Sequence, residues 1–187
     1  MGLKVLSFEK KANGEFILLE IVNELYHLKT PKLLFKLVHL EPDHSGRYIA
    51  EKAYIDVKEA GCLIRAIKFK QEDEVFKSFK GNMDKTLNKV VARVLSVKRK
   101  GKLFVLSVEL ADGQQTFVCN KAGQKVPGAV MPVGGHTIRQ GSIALSREEI
   151  LCLADMLERE LTAWRTALNM DYLYHPEKYL VTGMKKE

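Results

Sequence analysis

The sequence predicts an α+β protein of two tandem ββββα repeats, with antiparallel sheets and with the two helices packed together as in a dimer folded into one chain. Three observations carry this. Apolar residues alternate with a period near two up to Ile55, then switch to the helical period at Asp56, and the same switch recurs at Ser146. Both switch points open a capping box, Asp56 with Glu59 and Ser146 with Glu149. Finally, Lys32–Leu40 lies over Lys102–Leu110 at an offset of 70 with four of nine residues identical, and at the helices the offset becomes 90, setting Cys62 on Cys152, Leu63 on Leu153 and Ile67 on Leu157.

The elements follow in order. Leu3–Phe8 is an apolar, partly alternating strand, and Asn13-Gly14 is a strong two-residue hairpin signal. Phe16–Leu28 is a long second strand, broken at Thr30-Pro31; Lys32–Leu40 is the third, and Arg47–Ile55 the fourth, after the polar turn 41–46. The helix from Asp56 places Leu63, Ile64 and Ile67 on one face. Gln71-Glu72-Asp73-Glu74 reads as a charged connector in which Phe76 and Phe79 pack down, and Gly81-Asn82 closes the first repeat, residues 1–80. The second repeat, residues 84–168, contains strands over Thr86–Lys98, Lys102–Leu110, Gln115–Cys119 and Thr137–Leu145. Lys121–Gly135 holds four glycines and two prolines and reads as a long mobile loop. The last helix is well patterned, with Ile150, Ala154, Leu157, Leu161, Trp164 and Leu168 on one stripe. The tail 169–187 carries Tyr172, Tyr174 and Tyr179 and is assigned no element.

Composition narrows the class. The 187 residues are 46% apolar, too rich for a disordered chain, and no apolar run approaches the ~20 residues of a membrane helix. The first eleven residues lack the apolar stretch of a signal peptide. Cys62, Cys119 and Cys152 are odd in number and form no CxxC pair, so a reducing cytoplasm is the expected compartment; the two helix cysteines read as core. No metal and no cofactor are expected: His39 and His44 with Asp43 lack supporting ligand spacing. GxGxxG, GxxxxGK[ST], HExxH and GxSxG are all missing from the sequence, so no enzymatic activity is expected.

The net charge of +7 is unevenly spread. Between Lys85 and Arg139 ten basic residues face only Glu109 and Asp112, while the stretch from Arg147 onward has six basic and eight acidic residues. The densest point is Lys98-Arg99-Lys100-Gly101-Lys102, a cluster suited to a phosphate backbone.

Val94–Val108, a strand, a Lys-Gly-Lys turn and a second strand, resembles the first hairpin of the transcriptional coactivator positive cofactor four, and Gln140–Ile150 resembles that family's Gly-Ile-Ser-Leu segment leading from the last strand into the helix. The same four-strand-plus-helix unit occurs in the Whirly proteins. The resemblance implies binding of single-stranded DNA or RNA on sheet surfaces, DNA favoured over RNA, with a role in transcription or DNA maintenance. A tandem pair would mimic the family's dimer; a homodimer of the whole chain is a further expected partner, a membrane is not. The first repeat departs from the pattern, with Thr30-Pro31-Lys32 at the turn and Tyr54-Ile55-Asp56 before the helix.

Single-strand binding needs cations for phosphates and flat rings for bases. The candidates in the second repeat are Lys89, Arg93, Lys98, Arg99, Lys100, Lys102 and Arg139, with Phe104 and Phe117 as stacking residues. In the first repeat they are Lys32, Arg47, Tyr48 and Lys52, with Lys29, Lys36, Phe35 and Tyr54 nearby. Two other classes compete: a protein-interaction or dimerisation module using a sheet edge or the tyrosine-rich tail, and a small-ligand binder with residues 121–135 as a lid.

Overall fold

The computed structural model describes residues 3–12, 15–26, 30–40, 47–121 and 123–175, without the side chains of residues 3–5, 12, 15 and 47–50. Alternating side chains in the first half give β1 (Leu3–Ala12), β2 (Glu15–Glu24), β3 (Lys32–Leu40) and β4 (Arg47–Asp56), followed by α1 (Val57–Phe69). The second half gives β5 (Glu74–Asp84), β6 (Lys89–Lys100), β7 (Leu103–Cys119), β8 (Lys125–Leu145) and α2 (Arg147–Tyr174). Each set of four strands forms one antiparallel sheet in sequential order, so the protein is α+β with two ββββα units.

Both helices start as the sequence requires. The Asp56 carboxylate accepts from the Glu59 N–H and the Glu59 carboxylate from the Asp56 N–H; Ser146 and Glu149 do the same at α2. The inner sheet faces and the helix stripes meet in one core. Ile21, Leu33, Phe35 and Ile55 of the first sheet, Leu95, Val97, Leu106 and Ile143 of the second, Leu63 and Ile67 of α1, and Leu153 and Leu157 of α2 belong to a single buried cluster. The helices pack on each other, tied at the surface by Lys68 Nζ to Asp155 (2.8 Å) and Glu158 (2.7 Å). β4 lies against all four strands of the second sheet.

Several expectations are corrected. Glu74–Asp84, expected as a connector, is strand β5 of the second sheet. Its polarity misled because its inward side chains include Ser78 and Lys80, which bond the Glu59 carboxylate at 2.6 and 2.8 Å instead of packing as hydrophobes. Gln115–Cys119 is not a separate strand but the end of β7, and Lys125–Gly135 is not a loop but the first half of β8. Together they form a hairpin arm closed at Asn120–Gln124, with Gly123 at φ +74°. Helix α2 runs on to Tyr174, so the start of the predicted tail is helical. All three cysteines are exposed, those of the helices flanking the buried stripe rather than joining it. The hairpin signal at Asn13-Gly14, the turn 41–46 with Asp43 and His44, and Tyr179 lie outside the described residues.

The repeat is also shifted by one residue in its strands. One position before each N-cap, Ile55 pairs Leu33 and Leu145 pairs Phe104, which makes the offset of β3 and β7 71, not 70. At 71 the buried residues Leu33, Phe35 and Leu37 fall on the buried Phe104, Leu106 and Val108. At 70 every side chain would be set on the opposite face.

Candidate nucleic-acid interface

Register defines the outer face of the second sheet. Leu95, Val97, Leu106, Val108, Ile143 and Leu145 point into the core, so their alternating neighbours point out. One outward row reads Lys77, Ser96, Ser107, Ser142 across β5 to β8. The next row toward the β6–β7 turn brings Lys98, Val105 and Ala144 together, and Lys100 and Lys102 flank the turn, where Gly101 adopts φ +60°. The result is a flat area of small side chains with lysines at one edge and along one end.

Lys77, Lys98, Lys100 and Lys102 are exposed, and none forms an ion pair among the described residues. Arg99 differs: its N–H donates to the Asp73 carbonyl (2.7 Å), its guanidinium to the Gln71 carbonyl (3.4 Å), and it stands 5.7 Å above the Phe104 ring. It anchors the α1–β5 connection to the turn. That connection brings acids close by: Glu72 is taken by Lys70 at 2.9 Å, and Glu74 is the cross-strand neighbour of Lys98.

The remaining predicted residues are placed elsewhere. Phe104 is only 5% exposed and packs in the core, so it presents no open ring to a base. Arg93 and Arg139 point inward and both reach Glu51 of β4, at 3.5 and 3.3 Å; Arg93 also bonds Asp84 (3.2 Å) and Asn82 (2.9 Å). Lys89 is neutralised by Asp112 at 2.6 Å. These three are therefore ion-paired with acids rather than part of the lysine surface, and the ten cations of the Lys85–Arg139 stretch do not share one face. Phe117 sits far from the turn, on the arm, 56% exposed with Lys125 Nζ 5.4 Å from its ring centre.

On the first sheet, Lys36 and Lys52 are cross-strand neighbours on the outer face, beside Glu20. Lys32 stands 4.2 Å over the Tyr54 ring and pairs with Glu24 at 3.5 Å. Arg47 and Tyr48 begin β4, opposite Leu40 and His39, but their side chains, like Lys29, lie outside what is described. Sequence reasoning missed Lys77 and the outward Phe79 because β5 was not recognised as a strand, where the alternation Phe76, Ser78, Lys80 against Lys77, Phe79, Gly81 was the available signal; it missed the serine row because the register that aligns Ser96, Ser107 and Ser142 is set only by strand pairing.

No family model matches the sequence, and no curated protein matches it. Among solved structures the chain is similar to the crystal structure of WHY1 from Arabidopsis thaliana, with 12% identity and a TM-score of 0.46 over 94% of this chain and 96% of that one. A likeness of that degree is too slight to bear on function.

Proposed function

We propose that the protein binds single-stranded nucleic acid, without enzymatic activity, on the outer face of its second sheet. The observation that carries this is the set of four exposed lysines, Lys77, Lys98, Lys100 and Lys102, with no ion-pair partner among the described residues, bordering the hydroxyl row Ser96, Ser107, Ser142. Unpaired ammonium groups release phosphate counterions at no cost in broken ion pairs, and small hydroxyl side chains let a strand lie flat. The resemblance of the β6–β7 hairpin to the positive cofactor four family supports the reading and makes DNA the first polymer to test.

Fluorescence anisotropy with an unstructured DNA oligonucleotide, and with its RNA counterpart, is the decisive measurement. With four phosphate contacts, log affinity should fall with log salt at a slope of about −3. The triple variant Lys98→Ala, Lys100→Ala, Lys102→Ala should weaken binding at least tenfold at low salt, reduce the slope to about −1 and leave Tm nearly unchanged. No binding by the unaltered chain at low salt would remove the proposal.

A second reading, a protein-interaction module, is favoured by one feature: α2 ends with Met170, Tyr172, Leu173 and Tyr174 all exposed, the last two by 70% or more. Sedimentation analysis would detect self-association through this end, and Leu173→Ser with Tyr174→Ser should abolish it.

A further inference from the structure

The arm formed by the end of β7 and the start of β8 does not extend into solvent. Bulges at Leu110–Ala111, Ala111–Gly113 and Gln115–Phe117 bend it back across the outer face of its own sheet. Val130 lies directly on Gly81 of β5 and against Gly113 of β7. Between the arm and the β5 edge this leaves a cleft of about 540 Å³, walled by Phe79, Met83, Val90 and Val130, with Gln115 at its side. That size falls within the roughly 300–1,000 Å³ of small-ligand sites.

We propose that this cleft receives one unpaired base of the strand lying on the serine row, an assignment that rests on the single-strand reading above. Phe79 provides an aromatic ring on the outer face of the sheet, and it is two residues, or about 7 Å, from the exposed Lys77. A backbone held at Lys77 and the turn lysines therefore brings a base within reach of the ring. The wall chemistry excludes a phosphate as the occupant: the lining is mostly apolar, and the Lys80 side chain turns to the other face of the sheet, where Asp56 (3.1 Å) and Glu59 (2.8 Å) hold it. The wall is also built in advance. Gln115 Nε2 donates to the Gly128 carbonyl (2.7 Å) and Thr116 Oγ1 to the Ala129 carbonyl (2.6 Å), so the arm needs no ordering when a base enters.

The test compares the affinity for oligothymidylate with that for an abasic oligomer of equal length. The unaltered chain should prefer oligothymidylate by about tenfold, the lower range of what stacking on one ring contributes. Met83→Trp fills the cleft from an exposed wall position on the same face of β5 as Phe79, and Phe79→Leu removes the ring. Both should lose the preference while abasic binding and its salt slope stay as they were. Should Phe79→Leu lower Tm, Met83→Trp decides alone. Binding with an unaltered preference in Met83→Trp overturns the cleft assignment only; no binding of either oligomer by the unaltered chain overturns it together with the reading beneath it.

Discussion

Ser146 and Asp56 each satisfy a backbone N–H that a helix start leaves without a partner, and each is answered by the glutamate three residues on. Ser146→Ala should cost about 1 kcal/mol in chemical denaturation. Charge adds to this at α2. Lys10 Nζ lies 2.5 Å from Glu149, and that bond first, with the Ser146 N–H, holds the Glu149 carboxyl below its ordinary value. At Asp56 burial acts the other way, but the Glu59 N–H and Lys80 prevail and its carboxyl is also lowered. Carboxyls lowered on folding stabilise fully above the unfolded range, about pH 5, and lose that contribution as pH falls through and below about 4. Stability measured from pH 7 to pH 3 should therefore decline on the acid side, and Glu149→Gln should flatten the decline. The caps were legible at this scale because a cap is a local pattern of two residues. Which phenylalanine is open was not: Phe104 lies in an apolar strand and Phe79 in a charged one, and only strand pairing turns one inward and the other out.

Among the elements, the arm depends on glycine where it crosses the sheet. A Cβ at Gly81 would overlap the Val130 side chain and come within 3.0 Å of its carbonyl oxygen. Gly81→Ala should lower stability by about 1–3 kcal/mol, as overpacking does, and should expose the arm to limited proteolysis after Lys121 or Lys125. The glycines and prolines of 121–135 looked like loop chemistry. In the fold two of these residues serve strand geometry: Gly128 sits where a Cβ would be 2.7 Å from Thr116 Oγ1, and Gly135 takes φ +80°. Strand β5 was illegible for the complementary reason, since ionic partners on α1 replace the apolar side chains that mark a strand's inner face.

At the scale of the whole molecule, Glu51 joins the two units. It is 3% exposed; among the described residues its ion-pair partners are Arg93 and Arg139 of the second sheet, Oε1 also accepts from the Lys52 N–H (3.0 Å), and Oε2 is held by the Arg139 charge without hydrogen-bond geometry. Glu51→Ala leaves the little-exposed Arg93 with Asp84 and Asn82 and should destabilise the protein by about 3–5 kcal/mol, whereas the triple lysine variant of the turn should change Tm little. Calorimetry on both separates the structural cations from those free to bind.

From its residues alone the chain determined the doubled sheet-and-helix plan, the four strands of the first unit, both helix starts and the exposed lysines of the β6–β7 turn, because periodicity, capping and turn chemistry act over a few neighbours. Tertiary structure decided which cations are spent on Glu51 and Asp112, which ring faces out, the one-residue shift of the repeat, and the fold-back of the arm. Those depend on partners distant in sequence, and in a strand a single step of register exchanges the two faces.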